Sequence, residues 1–550
     1  MKQGNVQKHL NRQRGLITRV ALLIAMVSLF VTAGFAQRNY PFPQNYKYPY
    51  GQIYTGTDVQ TKIQSLYNAW KTTYYVEGTM TGGPQSGKAA ARIKFLQPGQ
   101  DGSLTVSEGI AYGMLITVYM DNATNNTQSM FNRLWTYYLG NVNGNGLMNW
   151  KVSGFTGQVA PGTGNANGAT DADIDVANAL LMAHKQWGSA GTVNYLQAAK
   201  TLINAIYTFE VDGNKLLKPG DAFNDYANPC YYITNSTTLF GKVEVSEGWQ
   251  GSDRWQAVNT ACYTLMKASR NATTGLVPDW CQTPSGALIN GIINDKFESY
   301  FLYDAIRIPW RMAHAYAWYG HADAKDIASK ITTWAQTNYN DPATIWDGYL
   351  LNGNVFNNPT GNPNFANLGK NHNPCFSGGL SVGSTVDASF SSYMAKCWNV
   401  GSATDNYGAY YTHTTQLLYM MFLTGNMPNF WDMKPVPVAA ETNANGNAIY
   451  VDFSKSLSTT TSTTGWTVQT FADEADVTPT AVTVSSLSVL DKRVTLNLSA
   501  DIAEPFIKIS YNGTTIKSSA DNLTADAFSN MLVTNKITNM EPYPVLRMTD

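Results

Sequence analysis

A helical periodicity that persists from about Asp58 to Gly425 constrains this chain more than any other feature of its sequence. Apolar residues recur there at positions i, i+3, i+4 and i+7, the pattern of helices with one buried face. The periodic segments include Val59–Tyr75, Val106–Met120, Met130–Leu139, Asp171–Trp187, Val193–Phe209, Trp255–Ser269, Tyr300–Tyr319, Ala324–Tyr339 and Thr415–Leu423. Without alternating strands to form a βαβ unit, residues 58–433 are predicted to form one mainly helical domain, a toroid or solenoid. No exact repeat is visible, so a regular repeat array is the weaker alternative.

The composition narrows the class of ligand. The 550 residues include 37 Lys and Arg against 38 Asp and Glu, and a net charge of -1 gives no electrostatic attraction for nucleic acid. Only 14% of residues are charged, against about 25% in an average soluble protein, whereas 12% are aromatic. Asn, Thr, Ser, Gln and Tyr carry most of the polarity. This balance suits a neutral, hydroxylated ligand.

The N-terminus has the pattern of a signal peptide, predicted at 1–36. A basic start precedes Val20–Ala33, an uncharged and mostly apolar run of 14 residues that is shorter than the ~20 needed to span a bilayer. Cleavage is expected after Ala36, and an uncleaved anchor is the alternative. The mature chain should then have no membrane span and be secreted, periplasmic or on the cell surface. A Tyr- and Pro-rich extended arm is predicted at 37–57.

The composition changes near Lys434. Residues 434–440 read as a linker, and short β-prone runs separated by turn residues follow it, with a hairpin signal at Asn512-Gly513. We therefore expect a β-sandwich (Ig-like) accessory domain at 441–550. A spacer or stabilising module and a carbohydrate-binding module are both open interpretations of its function.

Glu108 is the first of three carboxylates placed at or near the start of an apolar helix. It lies in Ser107-Glu108-Gly109, followed by Tyr112-Gly113-Met114. The N–H dipoles of a first helical turn favour its ionised form, whereas apolar burial raises its pKa. Ser246-Glu247-Gly248 is a similar tripeptide without the same continuation. Taken alone, Glu108 is a plain first-turn carboxylate.

Three aspartates alternate at the start of another predicted helix, Asp171, Asp173 and Asp175. An EF-hand calcium loop would need Gly at its sixth position and Glu at its twelfth, where this chain has Val176 and Met182. We expect at least one of these aspartates to accept backbone N–H bonds at the helix start and others to face a cleft.

Asp304 and Arg307 form the third constellation. Spaced i, i+3, they share one face of a helix, so the guanidinium is expected to hold the carboxylate ionised at neutral pH. A low-pKa carboxylate beside an aromatic wall is suited to act as a general base on water. A purely structural ion pair is the alternative.

Sequence signatures of other chemistries are missing. The chain has no GxSxG, HExxH, P-loop or GxGxxG motif, and its six histidines show no metal-ligand spacing. Its five cysteines contain no CxxC pair and allow at most two disulfides. We expect no cofactor and no metal.

Taken together, the three segments resemble glycoside hydrolase family 8. The stretch from Ala169 to Trp187 is similar to the family signature, and the segments around Glu108 and Asp304 are similar to its acid-bearing and base-bearing motifs. Asn145–Trp150 and Asn228–Tyr232 also fall in the expected order. The resemblance covers about Tyr40 to Trp431.

This resemblance implies an (α/α)6 barrel and hydrolysis of β-1,4-linked glycans with inversion at the anomeric carbon. It implies that Glu108 is the general acid, that Asp304 is the base acting on water, and that Asp171 binds and helps to distort the sugar at the cleavage point. The remaining implied substrate-binding residues are Arg307, Tyr231, Trp150, Tyr112 and Asp173.

The expected partner is a β-1,4-linked polysaccharide or oligosaccharide, bound by a monomer. Cellulose or mixed-linkage β-glucan is favoured over xylan, from which it differs by one hydroxymethyl group per sugar. Chitosan is disfavoured because Asp304 occupies the base position, which many chitosanases of this family have lost. The alternative from another class is a non-catalytic glycan-binding protein, against which the retention of Glu108, Asp171 and Asp304 counts.

Overall fold

The computed structural model describes residues 38–97, 99–289, 298–403, 409–473, 475, 477–519 and 522–538. The predicted signal peptide, 1–36, lies outside these residues. The chain divides into two compact units, Met1–Pro428 and Asn429–Asp550.

The first unit is mainly helical. Its described residues contain twelve α-helices: α1 Val59–Tyr74, α2 Ser107–Tyr119, α3 Gln128–Gly140, α4 Thr170–Trp187, α5 Tyr195–Phe209, α6 Thr234–Ser246, α7 Trp255–Ser269, α8 Ile308–Tyr319, α9 Ala322–Asn338, α10 Pro374–Val382, α11 Ser391–Gly401 and α12 Tyr410–Leu423. α1 buries one face, whereas α2 buries every residue except Glu108. A helix that is apolar all round belongs in the interior, and α2 packs there against α4.

An extended arm, 38–57, ties several helix ends together. Asn39 donates its backbone N–H to the carbonyl of Gln186 at the end of α4, and Phe42 donates to that of Asp121 just after α2. Further along, Tyr54 donates to Leu423, the last residue of α12. The prolines that exclude a helix here leave backbone groups free for these bonds.

Three small antiparallel sheets lie between the helices. Their strands are β1 Tyr75–Thr79 with β2 Ala89–Ile93; β3 Leu104–Val106, β4 Lys151–Ser153 and β5 Gln158–Val159; and β6 Tyr226–Ala227 with β7 Cys281–Gln282. Pairing of Val106 with Lys151 brings the start of α2 beside Trp150. Pairing of Ala227 with Cys281 brings Asn228 beside Trp280.

The described residues of the second unit form eight strands: β8 Pro437–Thr442, β9 Ala448–Phe453, β10 Trp466–Phe471, β11 Thr480–Val482, β12 Val484–Leu490, β13 Arg493–Leu498, β14 Phe506–Tyr511 and β15 Phe528–Leu532. They pair in two four-stranded antiparallel sheets, in the orders β11-β10-β14-β15 and β12-β13-β9-β8. Burial alternates along β13, and its Val494 shares one apolar core with Ile449 of β9 and Ile509 of β14.

The predicted linker, 434–440, needs correction. β8 begins at Pro437 and pairs with β9, so residues 437–440 belong to a sheet. A proline at the first position of an edge strand removes no essential ladder hydrogen bond. The proline that suggested a break between domains therefore starts the first strand of the second unit.

All five cysteines are buried free thiols. Among the helices with described structure, none combines the length and the hydrophobicity needed to cross a membrane.

Candidate active site

Glu108 lies in the first turn of α2, at the point where β3 ends. Ser107 donates its backbone N–H to the carbonyl of Trp150 at 2.8 Å, and the Trp150 side chain hydrogen-bonds to Glu108. Burial raises the pKa of Glu108 to about 7, and the negative charges of Asp171 and Asp304 add to the effect against the opposing charge of Arg307. The helix dipole that would favour ionisation is outweighed.

Arg307 joins the other two predicted carboxylates. It is 1% exposed; its Nη1 donates to Asp171 Oδ2 at 2.5 Å, and its Nη2 donates to Asp304 Oδ1 at 2.6 Å. Nη1 also donates to the hydroxyl of Tyr112 at 3.0 Å, and the guanidinium carbon lies 5.5 Å from the ring centroid of Tyr231. One planar cation therefore holds Asp171 and Asp304 at fixed positions.

Asp304 stands at the start of a 3-10 turn, Ala305–Arg307, that leads into α8. Its Oδ2 accepts a hydrogen bond from Asn228 Nδ2 at 3.1 Å, and its side chain is 33% exposed. Contrary to the sequence-based expectation, its pKa is raised. Burial outweighs the lowering by Arg307, because that guanidinium is shared with Asp171, whose own charge raises the pKa of Asp304 further.

A second ion pair lies one helical turn below the first. Arg311 donates to both carboxylate oxygens of Asp175, at 2.9 and 2.5 Å, and both side chains are buried. Asp171 and Asp175 are spaced i, i+4 on α4, and Arg307 and Arg311 have the same spacing at the start of α8. The two bridges therefore form a ladder that fixes the register between these helices.

An open cleft of about 570 Å³ borders these groups. Trp150, Phe223, Tyr231, Trp280 and Asp304 line it, together with loop residues between Thr163 and Ala169. Trp280 packs against Phe223 with ring centroids 6.2 Å apart and against Tyr231 at 6.5 Å. Aromatic faces beside a carboxylate form a surface suited to a sugar chain, since the rings pack on C–H groups and the carboxylate binds hydroxyls.

Two of the predicted substrate contacts, Tyr112 and Asp173, are fully buried. The hydroxyl of Tyr112 accepts a hydrogen bond from Arg307, so this side chain holds the guanidinium in place. Asp173 is bonded to the hydroxyl of Tyr138 and lies close to Glu210, because a step of two residues along α4 turns it away from Asp171. Burial raises the pKa of Asp173 to about 7.

The sequence interpretation assigned no role to Asn228, Asp279 or Trp280. Asn228 caps the short 3-10 helix Pro229–Tyr231 and also bonds Asp304. Its place in the motif Asn228–Tyr232 was the available signal, whereas nothing local marks Asp279 or Trp280. Across the described ranges, no group of three or more His, Cys, Asp or Glu side chains is arranged to hold a metal ion.

Comparisons with known proteins point to a single family. The family described as glycosyl hydrolases family 8 matches residues 40–424. Endoglucanase 2 of Ruminiclostridium josui is 32% identical over 444 residues, which cover 78% of this chain and 85% of that protein. Beta-glucanase of Niallia circulans is 27% identical over 441 residues, covering 76% and 98%.

Solved structures of related enzymes also align with this chain. The beta-1,3-1,4-glucanase from Paenibacillus sp. X4 aligns with a TM-score of 0.60 at 27% identity, covering 71% of this chain and 99% of that one. A cold-adapted family 8 xylanase aligns with a TM-score of 0.53 at 18% identity, covering 70% and 98%, and thus shares the fold.

Proposed function

We propose that this chain, which belongs to glycosyl hydrolase family 8, is a secreted endo-β-1,4-glucanase that hydrolyses cellulose or mixed-linkage β-glucan with inversion. The observation that carries the proposal is the unequal environment of two carboxyls in one site. Asp304 receives direct hydrogen bonds from Arg307 and Asn228, whereas Arg307 acts on Glu108 only through space. Such an imbalance separates an acid from a base.

Glu108 is the proposed general acid. With a pKa of about 7 it keeps its proton in neutral or mildly acidic solution, yet it loses the proton readily when a leaving group gains negative charge. The proton moves to the glycosidic oxygen as the bond from that oxygen to the anomeric carbon breaks. Trp150, bonded to Glu108 and bordering the cleft, keeps the acid next to the sugar.

Asp304 is the proposed base. Water attacks the anomeric carbon from the face opposite the leaving group, and one water proton passes to Asp304 as the new bond forms. Its side chain borders the cleft, where water can reach it. Two carboxyls that act on opposite faces must leave room for this water, so we expect their oxygens to lie ~6.5–9.5 Å apart, as in inverting enzymes.

Asp171 is proposed to bind the sugar at the cleavage point. It is 1% exposed and held by Arg307 Nη1 at 2.5 Å, with its other oxygen accepting the backbone N–H of Ala172 at 2.9 Å. A fixed anion supports the positive charge that develops on the ring in the transition state. Arg307 is proposed to hold both carboxylates, and Tyr231 and Trp150 to pack against the sugars.

Three coarser observations support the rest of the proposal. The twelve α-helices in the described residues of the first unit are the number that an (α/α)6 barrel requires. Relatives named endoglucanase and beta-glucanase support a glucan substrate. The basic and apolar start of the sequence supports secretion.

A reducing-sugar assay on carboxymethyl cellulose, β-glucan, xylan and chitosan, run side by side, tests the substrate. Release of reducing sugar from carboxymethyl cellulose or β-glucan is expected. Preferential release from xylan would instead indicate that the enzyme is a xylanase. NMR of the first product tests the stereochemistry, since inversion gives the α-anomer first. Asp304→Asn should abolish release, and unchanged turnover in that variant would contradict the mechanism.

A further inference from the structure

Asp279 lies beneath the turn that carries the proposed base. It is 7% exposed and stands just before β7, whose partner strand β6 leads directly into Asn228. Its backbone N–H donates to the carbonyl of Tyr300 at 2.7 Å, which holds the segment before β7 against the segment that leads to Asp304.

The Asp279 side chain brackets the Tyr303-Asp304 dipeptide. Its Oδ1 accepts the backbone N–H of Leu302 at 3.2 Å and that of Ala305 at 2.5 Å. These two donors lie immediately before and immediately after the dipeptide, so one oxygen atom fixes the backbone on both sides of Asp304. A carboxylate that accepts both bonds leaves the turn little freedom to rotate.

We propose that Asp279 is a positioning residue for the reaction, which sets the reach of Asp304 toward Arg307 and the attacking water. The inference rests on the proposed role of Asp304 as the base. Asn228 approaches the same carboxylate from the neighbouring strand, at 3.1 Å from Oδ2, while Arg307 Nη2 lies at 2.6 Å from Oδ1. Because Asp279 holds the backbone of the turn that carries Asp304, a displaced turn would lengthen both hydrogen bonds.

The adjacent Trp280 extends this role to the cleft. It follows Asp279 in the chain, lines the cleft and packs against Tyr231 and Phe223. The segment 279–280 therefore anchors the base through one residue and the aromatic wall through the next. The segment 279–280 would therefore position both a sugar packed against Trp280 and a water bound by Asp304.

Asp279 does not need its charge for this role. Burial, followed by the negative charge of Asp304, raises its pKa well above the ordinary value. A carbonyl oxygen accepts N–H bonds whether it belongs to a carboxylate, a carboxylic acid or an amide. Asn at position 279 should therefore still accept the two backbone hydrogen bonds, whereas Ala has no side-chain oxygen to accept them.

The test compares Asp279→Ala, Asp279→Asn and Asp279→Glu on the glucan that the wild-type enzyme cleaves. Displacing a reacting group by about 1 Å lowers the reaction rate by up to roughly 100-fold. The kcat of the Ala variant should therefore fall about 10- to 100-fold, while its KM stays within about twofold of the wild-type value. The Asn variant should recover kcat to within about threefold of wild type. Glu keeps the carboxyl but lengthens the side chain, so its kcat should fall without a change in KM.

The acid limb of kcat/KM gives an independent readout. Burial raises the pKa of Asp304, the charge of Arg307 lowers it, and the charge of Asp171 raises it further. A turn that drifts from Arg307 weakens this lowering, so the acid limb of the Ala and Glu variants should move to higher pH. The limb of the Asn variant should stay in place. A residue that only stabilised the loop would leave the limb unmoved in every folded variant.

Asp341→Ala is the matched control. Asp341 also caps a short 3-10 helix, accepting the Ala343 N–H at 3.0 Å, but it is exposed in a different loop, so its loss should leave kcat and the acid limb unchanged. Wild-type kcat in Asp279→Ala would overturn the inference, as would an Asn variant no better than the Ala variant. If the Ala variant does not fold, full kcat in Asp279→Glu overturns it equally.

Glu108→Gln and Asp304→Asn, measured in the same assay, separate this inference from the function on which it rests. Two inactive variants uphold the catalytic pair, and a wild-type Asp279→Ala then counts against Asp279 alone. Turnover retained by both variants would refute the proposed mechanism itself, whatever the behaviour of Asp279.

Discussion

Replacing Glu108 by Gln is expected to abolish turnover and, at alkaline pH, to stabilise the fold. The pKa of Glu108 rises from 4.5 to about 7, first through burial and then through the charges of Asp171 and Asp304. At ~1.4 kcal/mol per tenfold change, that rise disfavours the ionised acid by about 3 kcal/mol in the native state. The side chain is half-buried, and solvent screening reduces the effect, so we expect about 1–2 kcal/mol.

The sign follows from proton binding. Between pH 4.5 and about 7 the native state keeps a proton that the unfolded chain has lost. The contribution of Glu108 to stability is therefore fully present below the unfolded pKa and disappears as the pH rises through the native one. Gln never ionises, so the advantage of the variant is small near pH 4.5 and largest above about pH 8.

Calorimetric unfolding at about pH 5 and about pH 8 measures this difference. For a domain of this size, each kcal/mol shifts Tm by roughly 1 °C, so the Gln variant should gain roughly 1–2 °C at the higher pH and little at the lower one. Glu247→Gln is the control, because Glu247 is exposed at the end of α6. An equal gain at both pH values, or a loss at the higher one, would refute the reasoning.

Three further substitutions address other parts of the site. Asp171→Asn removes a negative charge that raises the pKa of Glu108, so the alkaline limb of kcat/KM should move to lower pH; a pH–rate profile measures it. Arg311→Met leaves Asp175 buried without its partner and should cost about 3–5 kcal/mol in denaturant unfolding, most of which Asp175→Leu in the same chain should restore. Phe223→Ala removes about 1–2 kcal/mol of apolar contact from the cleft and should raise KM while kcat stays nearly constant in steady-state kinetics.

Some helices were predictable from their apolar residues, whereas others were not. The prediction for α7 matches its bounds, since this helix carries a regular apolar stripe, and that for α4 begins one residue late. Helix α6 was missed because its buried first turn is polar, with Thr234 and Asn235 among the residues inside. Such a turn is stabilised by tertiary hydrogen bonds, for example between the hydroxyls of Thr234 and Tyr263, which no local pattern reveals.

The same limit applies to the site. Motifs around Glu108, Asp171 and Asp304 identified side chains that the structure brings together around Arg307. The direction of the pKa of Asp304 was wrong, because spacing reveals the neighbour at i+3 but not the competing carboxylate on another helix. Asp279 was missed for a related reason, since its hydrogen bonds join backbone groups more than twenty residues away.

The charged side chains beneath the cleft explain how Glu108 can keep its proton. Arg307 bonds two carboxylates, Asp171 and Asp304, and Arg311 bonds Asp175. Six carboxyls of this region nevertheless have raised pKa values, including the two that bond an arginine: Glu108, Asp173, Asp175, Glu210, Asp279 and Asp304. Burial is the largest cause of each rise, and the negative charge of a neighbouring carboxylate adds to it, so the site retains protons. A third cation beside these carboxyls would favour their ionised forms. It would therefore lower the pKa of Glu108 and remove the acid on which the proposed hydrolysis depends.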